Sequence, residues 1–168
     1  MKTYTQEELK KIIENHQHWL NEDCEGWENM RADLSNADLR YADLMHADLM
    51  YAKSNESTAF YDLQCPEKGA FTAFKKVHGY IVELEIPADA KRSSATTRKC
   101  RCEFAKVLSI TNKDGSDSGL TKIHNDNYCG CDYVVGDVVR ADEWDDDRWN
   151  ECSHGIHFFI TRDEAVNY

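Results

Sequence analysis

Behind Thr5-Gln6-Glu7-Glu8, a stripe of Leu9, Ile12, Ile13, His16 and Leu20 recurs at intervals of three and four residues. The spacing predicts an amphipathic helix over residues 5–21. Thr5 is its expected N-cap, and Glu8 closes a capping box. The period then changes to five. Alanine recurs at 32, 37, 42, 47 and 52, aspartate at 33, 38, 43 and 48, and leucine at 34, 39, 44 and 49. Five matches neither the 3.6 of a helix nor the 2 of a strand. It suits a square coil with five residues on each side, leucines toward the axis and alanines where the backbone turns tightly. An Asp/Leu-rich amphipathic helix is the alternative. One coil cannot cover its own leucines, because repeats need stacked neighbours, and its backbone edges stay open. The leading helix is therefore expected to cap one side. The other side should meet Ala52, Ala59 and Leu63, the C-terminal region or another subunit.

From Cys65 onward the pattern becomes short apolar or alternating runs. Residues 70–77 and 80–86 flank His78-Gly79 and predict a hairpin, which Pro87 ends. Strands are also expected at 104–110, 133–139 and 155–161. Residues 112–119 (NKDGSDSG) predict a loop, and 162–167 a short closing helix. The expected class is α+β and β-rich, with helix and coil in residues 1–64 and a compact mixed α+β domain in residues 65–168.

The run RADLSNADLRYADLMHADLMYA resembles the A(D/N)LXX units of pentapeptide-repeat proteins. That resemblance implies a right-handed quadrilateral β-helix. Long members of that class imitate duplex DNA and bind topoisomerases. Four units close about one coil, which adds roughly 4.8 Å, whereas one turn of DNA spans about 34 Å. Asp33, Asp38, Asp43 and Asp48 are therefore too few for such a mimic. The whole chain also resembles a family of bacterial and phage proteins with a leading helix, a short repeat and an uncharacterised C-terminal domain. The resemblance is carried by CPEKGAF (65–71), KKV (75–77), LEIPADAKRSSATTRKCR (84–101), AKVLSI (105–110), YVVGDVV (133–139) and ECSHGIHFFITRDEAVNY (151–168). It implies an architecture and a phage setting. It supplies no catalytic residue.

With 168 residues, 41% of them hydrophobic, the chain can bury a core in one domain or two small ones. A net charge of −11 disfavours nucleic acid and anionic membrane as partners. No run approaches the ~18 apolar residues of a membrane helix, and the N-terminus lacks an apolar signal core. The expected location is the cytoplasm, with its cysteines reduced. Seven cysteines, an odd number, exclude a complete disulfide framework.

The charge is uneven. Residues 91–106 hold Lys91, Arg92, Arg98, Lys99, Arg101 and Lys106 against the single acidic Glu103. Ser93, Ser94, Thr96 and Thr97 are interleaved. Guanidinium forks and hydroxyls suit phosphate or carboxylate. The candidate anion site is therefore Arg92, Ser93, Ser94, Arg98, Lys99 and Arg101, with His154 and His157. The alternative is that these cations pair with the protein's own carboxylates.

Cys100/Cys102 and Cys129/Cys131 are CxC pairs that could face one side of a strand and offer four thiolates to zinc, with His124, Cys152 or His154 as substitutes. Ordinary buried cysteine is the competing reading, and no metal or cofactor is assigned. Cys152 lies close in sequence to His154 and His157, which suggests a Cys–His nucleophile. Glu83 and Glu85 have the ExE form of ADP-ribosyltransferases, but Arg92 and Ser93 follow them where that family's elements precede. Residues 142–147 form an acidic loop anchored by tryptophan. Trp19 and Trp27 should pack under the cap, while His16 and His18 are expected at the helix surface or cap.

Three function classes follow. The first is a non-enzymatic binding protein, of a phage accessory or anti-defence kind, for a nucleotide-like anion or a host protein. The second is an assembly module that oligomerises through the coil. The third is a small enzyme using Cys152, His154 and His157, or Glu83 and Glu85.

Overall fold

The computed structural model describes residues 1–59, 62–126 and 130–168. The chain forms two compact units. One comprises Met1–Asp62 with Ala95–Thr97, the other Leu63–Ser94 with Arg98–Tyr168.

The first unit opens with β1 (Lys2–Thr3) and α1 (Gln6–Asn21). The capping box is present: the Glu8 amide donates to Thr5 Oγ1, and the Thr5 amide donates to the Glu8 carboxylate. Residues 32–52 then repeat one local structure. In each unit the alanine amide donates to the leucine carbonyl three residues earlier: Ala37 to Leu34, Ala42 to Leu39, Ala47 to Leu44 and Ala52 to Leu49, at 2.9–3.1 Å. The residue before each alanine is left-handed, with φ of 61° at Asn36, 66° at Tyr41, 63° at His46 and 64° at Tyr51. Each aspartate accepts from the amide two residues on, at Ser35, Arg40, Met45 and Met50. These are Asx turns. The repeated aspartate thus works inside its own turn, which explains its fixed place in the unit.

After four units the chain meets itself. Asp33 pairs in parallel with Lys53, and Asp38 with Ala59. Leu34 N–H donates to Lys53 C=O, and Lys53 N–H to Ala32 C=O. The four leucines are buried inside. Each contributes about 1.5–3 kcal/mol by burial, while a left-handed residue other than glycine costs roughly 1–2 kcal/mol. The margin per unit is small, so the repeat depends on what covers its leucines.

Cover comes from both sides. Ala59 takes the place expected of it. On the opposite edge β1 pairs in parallel with β2 (Ala37–Asp38), a role that sequence patterning missed in so short a strand. Gln6 extends this cap: its side-chain amide donates to Asp43 C=O and accepts from Asp43 N–H. His16, expected at the helix surface or cap, is fully buried. Its Nδ1 accepts from Ala32 N–H at 3.2 Å and its Nε2 donates to Met50 C=O at 3.0 Å. One neutral tautomer makes both bonds. Trp19 stacks on the His16 ring at 5.4 Å, and Arg31 covers Trp19.

The second unit is built on antiparallel sheets, so the chain is α+β. Its principal sheet contains β3 (Phe71–Val77), β4 (Tyr80–Ile86), β7 (Phe104–Asn112) and β10 (Val138–Arg140), in the order β10-β7-β4-β3. β3 and β4 form the expected hairpin around His78-Gly79, with Val77 opposite Tyr80. A second sheet has β5 (Arg92–Ser94), β6 (Cys100–Cys102) and β11 (Ile156–Phe158), with β6 central. β8 (Lys122–Asn125) pairs with β9 (Cys131–Val134). The core gathers Val82, Leu84, Ile86, Val107, Tyr133, Ile156 and Phe158. The closing helix α2 (Arg162–Asn167) carries a second capping box, Thr161 with Glu164.

Three expectations are corrected. Residues 133–139 are two strands, because Gly136 turns the chain at φ 92°. The strand expected at 155–161 is confined to Ile156–Phe158. The basic stretch, read as a candidate anion site, contains β5 and β6, whose arginines and serines hide the alternation of a strand.

Candidate functional site

The second sheet sets the positions of the basic residues. Arg92, on β5, sends its guanidinium to five backbone carbonyls: Pro66, Gly69, Pro87, Ala88 and Ala90. Phe71 stacks beneath it at 5.2 Å. Arg101, on the central strand β6, is only 2% exposed. It donates to the carbonyls of Asp145, Asp147 and His154, and its guanidinium lies over the Trp144 ring. These two arginines organise loops. Arg92 holds residues 66–69 and 87–90, and Arg101 anchors the acidic loop by its backbone, with Trp149 buried as expected.

Gly155 makes that arrangement possible. Its φ of 141° suits glycine, and a Cβ there would come within 3.2 Å of Arg101 Cβ and 3.4 Å of the Cys102 carbonyl.

The remaining candidates scatter. Arg98 pairs with Glu164 at 2.7 Å, and Lys91 with Asp146 at 3.6 Å. Ser93 and Ser94 are buried, and Ser94 Oγ accepts from the Gln64 amide. His154 faces Asp142 and Glu143 at the surface. Lys99 and His157 lie near one another, in company with Lys75, Glu151 and Cys152. His157 Nε2 donates to Glu151 C=O, and Lys75 Nζ donates to His157 C=O. Burial, then the nearby Lys75 and Lys99 charges, push His157 down to about 4. Burial brings Lys75 down to about 8.

The histidine shift sets a pH dependence. The unfolded chain holds the extra proton between about pH 6.5 and pH 4, and the folded chain does not. Stability is therefore full above pH 6.5 and is lost as pH falls toward about 4, by about 3 kcal/mol for His157. His16, also lowered by burial, adds in the same direction. Urea midpoints measured between about pH 7 and pH 4.5 should fall, and His157→Gln should shrink the fall. A flat profile in the wild type would contradict the buried neutral imidazoles.

The cysteines depart from the zinc expectation. Cys100 and Cys102 are fully buried. Contact with the Cys65 thiol and burial push Cys100 up, and burial pushes Cys102 up. Cys102 donates to Ile156 C=O and Cys100 to Arg98 C=O. Zinc ligation uses the thiolate form, which burial disfavours at both positions. Cys131 is disulfide-bonded, which corrects the expectation of reduced cysteines throughout. Cys129 lies outside the described residues. His124 pairs with Asp132 at 2.7 Å. Among the described residues, His18, Asp23 and Cys24 do bring ligand atoms within 4.8 Å of one another. His18 Nδ1 bonds Asp23 there at 2.6 Å, and the Cys24 thiol points to the Met30 sulfur. The sequence signal was weak, because this group straddles the end of α1.

Cys152 meets a residue distant in sequence. Its hydrogen-bond partner is Lys99 Nζ at 3.1 Å, a pairing across 53 residues that adjacency in sequence could not show. Glu83, of the ExE pair, accepts from Ser109 on the neighbouring strand.

The first unit offers a concave surface. A groove of about 460 Å³ runs between α1 and the third and fourth repeat units, lined by residues that include Lys10, Ile13, Leu44, Met45 and Ala47. Met45 is exposed at the groove, and Tyr41 and Tyr51 are exposed at left-handed turn positions of the repeat, Tyr41 with 96% of its surface open.

A β-rich α+β domain behind a short five-residue repeat is the class these observations define. The chain belongs to a family of unknown function, DUF5758, whose pattern matches residues 61–165. Pentapeptide repeats match residues 30–53. No curated protein and no solved structure matches the chain. Among the described residues, no helix is long and apolar enough to cross a membrane.

Proposed function

We infer that this chain is a non-enzymatic interaction protein that binds a protein partner through its repeat unit. On this reading residues 32–59 are one coil of a right-handed quadrilateral β-helix, capped by α1 and β1. The groove beside α1 carries the reading. Its volume of about 460 Å³ lies in the range of ligand sites. Its lining mixes apolar Ile13, Leu44, Met45 and Ala47 with Lys10 and Glu14, the mixture expected where an apolar side chain of a partner inserts and polar groups surround it. The exposed Tyr41 and Tyr51 extend the contact with rigid aromatic groups, the type enriched at binding hot spots. A small anion is a weaker reading, because Arg92 and Arg101 are engaged by backbone carbonyls.

Met45→Glu tests this. Residue 45 is an exposed turn position, so folding should persist by circular dichroism. Native mass spectrometry of gently purified wild type should show a second copy or a co-purified protein at fixed stoichiometry. Met45→Glu should release it. A bare monomer in both would refute the reading. Stabilisation by added phosphate or nucleotide, growing as RT ln(1 + [L]/Kd) and lost in Lys99→Gln, would instead place the function at the basic residues.

A further inference from the structure

One pair in the second unit has chemistry that the framework does not use. Cys152 is an exposed free thiol. Its sulfur lies 3.1 Å from Lys99 Nζ. The two come from separate segments, Lys99 from the residue before β6 and Cys152 from the loop before β11. The Lys99 side chain is only 12% exposed. Its ammonium also faces Glu151 at 3.8 Å and the Tyr168 ring at 5.7 Å. The amine is thus positioned against the sulfur by a carboxylate and an aromatic ring. Lys75 adds a second buried cation nearby, on the His157 carbonyl. A cation at hydrogen-bond distance is the usual activating partner of a nucleophilic sulfur.

We propose that Cys152 and Lys99 are a redox-modification site, at which a peroxide converts thiol and amine into a sulfur–nitrogen cross-link. In the first step the sulfur attacks one peroxide oxygen. An S–O bond forms as the O–O bond breaks, and sulfur gives up two electrons. The second oxygen leaves as water, and Cys152 becomes a sulfenic acid. In the second step Lys99, its ammonium proton passed to solvent, attacks that sulfur as the free amine. The hydroxyl leaves with one amine proton as water, and an S–NH bond remains. Overall, one thiol, one amine and one peroxide give the cross-link and two waters.

The surroundings favour the second step. Burial opposes the Lys99 charge, but contact with Cys152 and the nearby Tyr168 and Glu151 outweigh it and hold the group above its ordinary value. Oxidation places an oxygen on the sulfur that accepts from Lys99, which removes one of those supports. Burial then acts toward the neutral amine, the form that attacks. Cys152 is also exposed, so peroxide can reach it.

Peptide mapping of the full chain after hydrogen peroxide treatment tests this. The expected product has lost two hydrogens and joins the peptide holding Lys99 to that holding Cys152. A thiol reductant should restore both groups. Lys99→Arg keeps a cation beside the sulfur but removes the primary amine. It should leave Cys152 carrying added oxygen, with no cross-link, and near-ultraviolet circular dichroism should show that the variant is folded. Oxygen added to Cys152 in the wild type with Lys99 unmodified would overturn the proposal. So would a disulfide from Cys152 to another cysteine, or an unreacted Cys152 thiol.

Discussion

Replacing Arg101 by methionine should destabilise the second unit by about 3–5 kcal/mol, the range for removing one partner from a buried charged network. Methionine fills much of the volume but donates no hydrogen bond. The carbonyls of Asp145, Asp147 and His154 would lose their donor together. Each buried carbonyl left without a partner costs about 1–3 kcal/mol. The Trp144 ring would also lose the cation stacked on it. Arg101→Lys should recover only part of this loss, because an ammonium cannot span three carbonyls in one plane as a guanidinium does. Urea unfolding followed by tryptophan fluorescence measures the effect. A loss below about 1 kcal/mol for Arg101→Met would show that the loop from 142 to 154 holds without its anchor.

In the first unit, Leu39→Ala should cost about 2–5 kcal/mol. Leu39 is fully buried. Its amide donates to Ala59 C=O, and its carbonyl accepts from Ala42 N–H. The backbone bonds survive the substitution, but the buried interior of the repeat gains a cavity. The neighbours that could collapse into it are held by left-handed corners at Tyr41 and Asn36. Relaxation is therefore restricted, and the cost should fall in the upper half of the range. Hydrogen exchange should show the loss at the amides of residues 34–59 while β3, β4 and β7 stay protected. Equal loosening of both units would mean that the repeat is not an independent element of stability.

The comparison of sequence with structure divides along range of interaction. Thr5/Glu8 was legible as a capping pair because its partners are three residues apart, and the structure shows the same spacing at Thr161/Glu164. The five-residue period announced the repeat because each unit closes its own turn, leucine carbonyl to alanine amide and aspartate to the amide two residues on. The hairpin at His78-Gly79 was visible for the same reason. The basic stretch was misleading as a candidate site. Arg92 and Arg101 look alike in sequence to cations that face an anion. What distinguishes them is the set of carbonyls around them, and for Arg101 those are contributed by residues 44 to 53 positions away.

Cys152 shows the same limit. Its neighbours in sequence, His154 and His157, turn to Asp142 and to the Glu151 carbonyl, and the group that reaches its sulfur is Lys99. Chain patterning was therefore sufficient for the leading helix, the hairpin, the closing helix and the repeat, which rest largely on bonds closed within a few residues, but not for the short strands β1, β2, β5, β6 and β8. Which arginines became framework, which thiols were sealed in the core and which amine met an exposed cysteine depended on the packed sheets. Burial and hydrogen-bond partners belong to the folded chain, and they decide whether a charge binds a ligand or holds a loop.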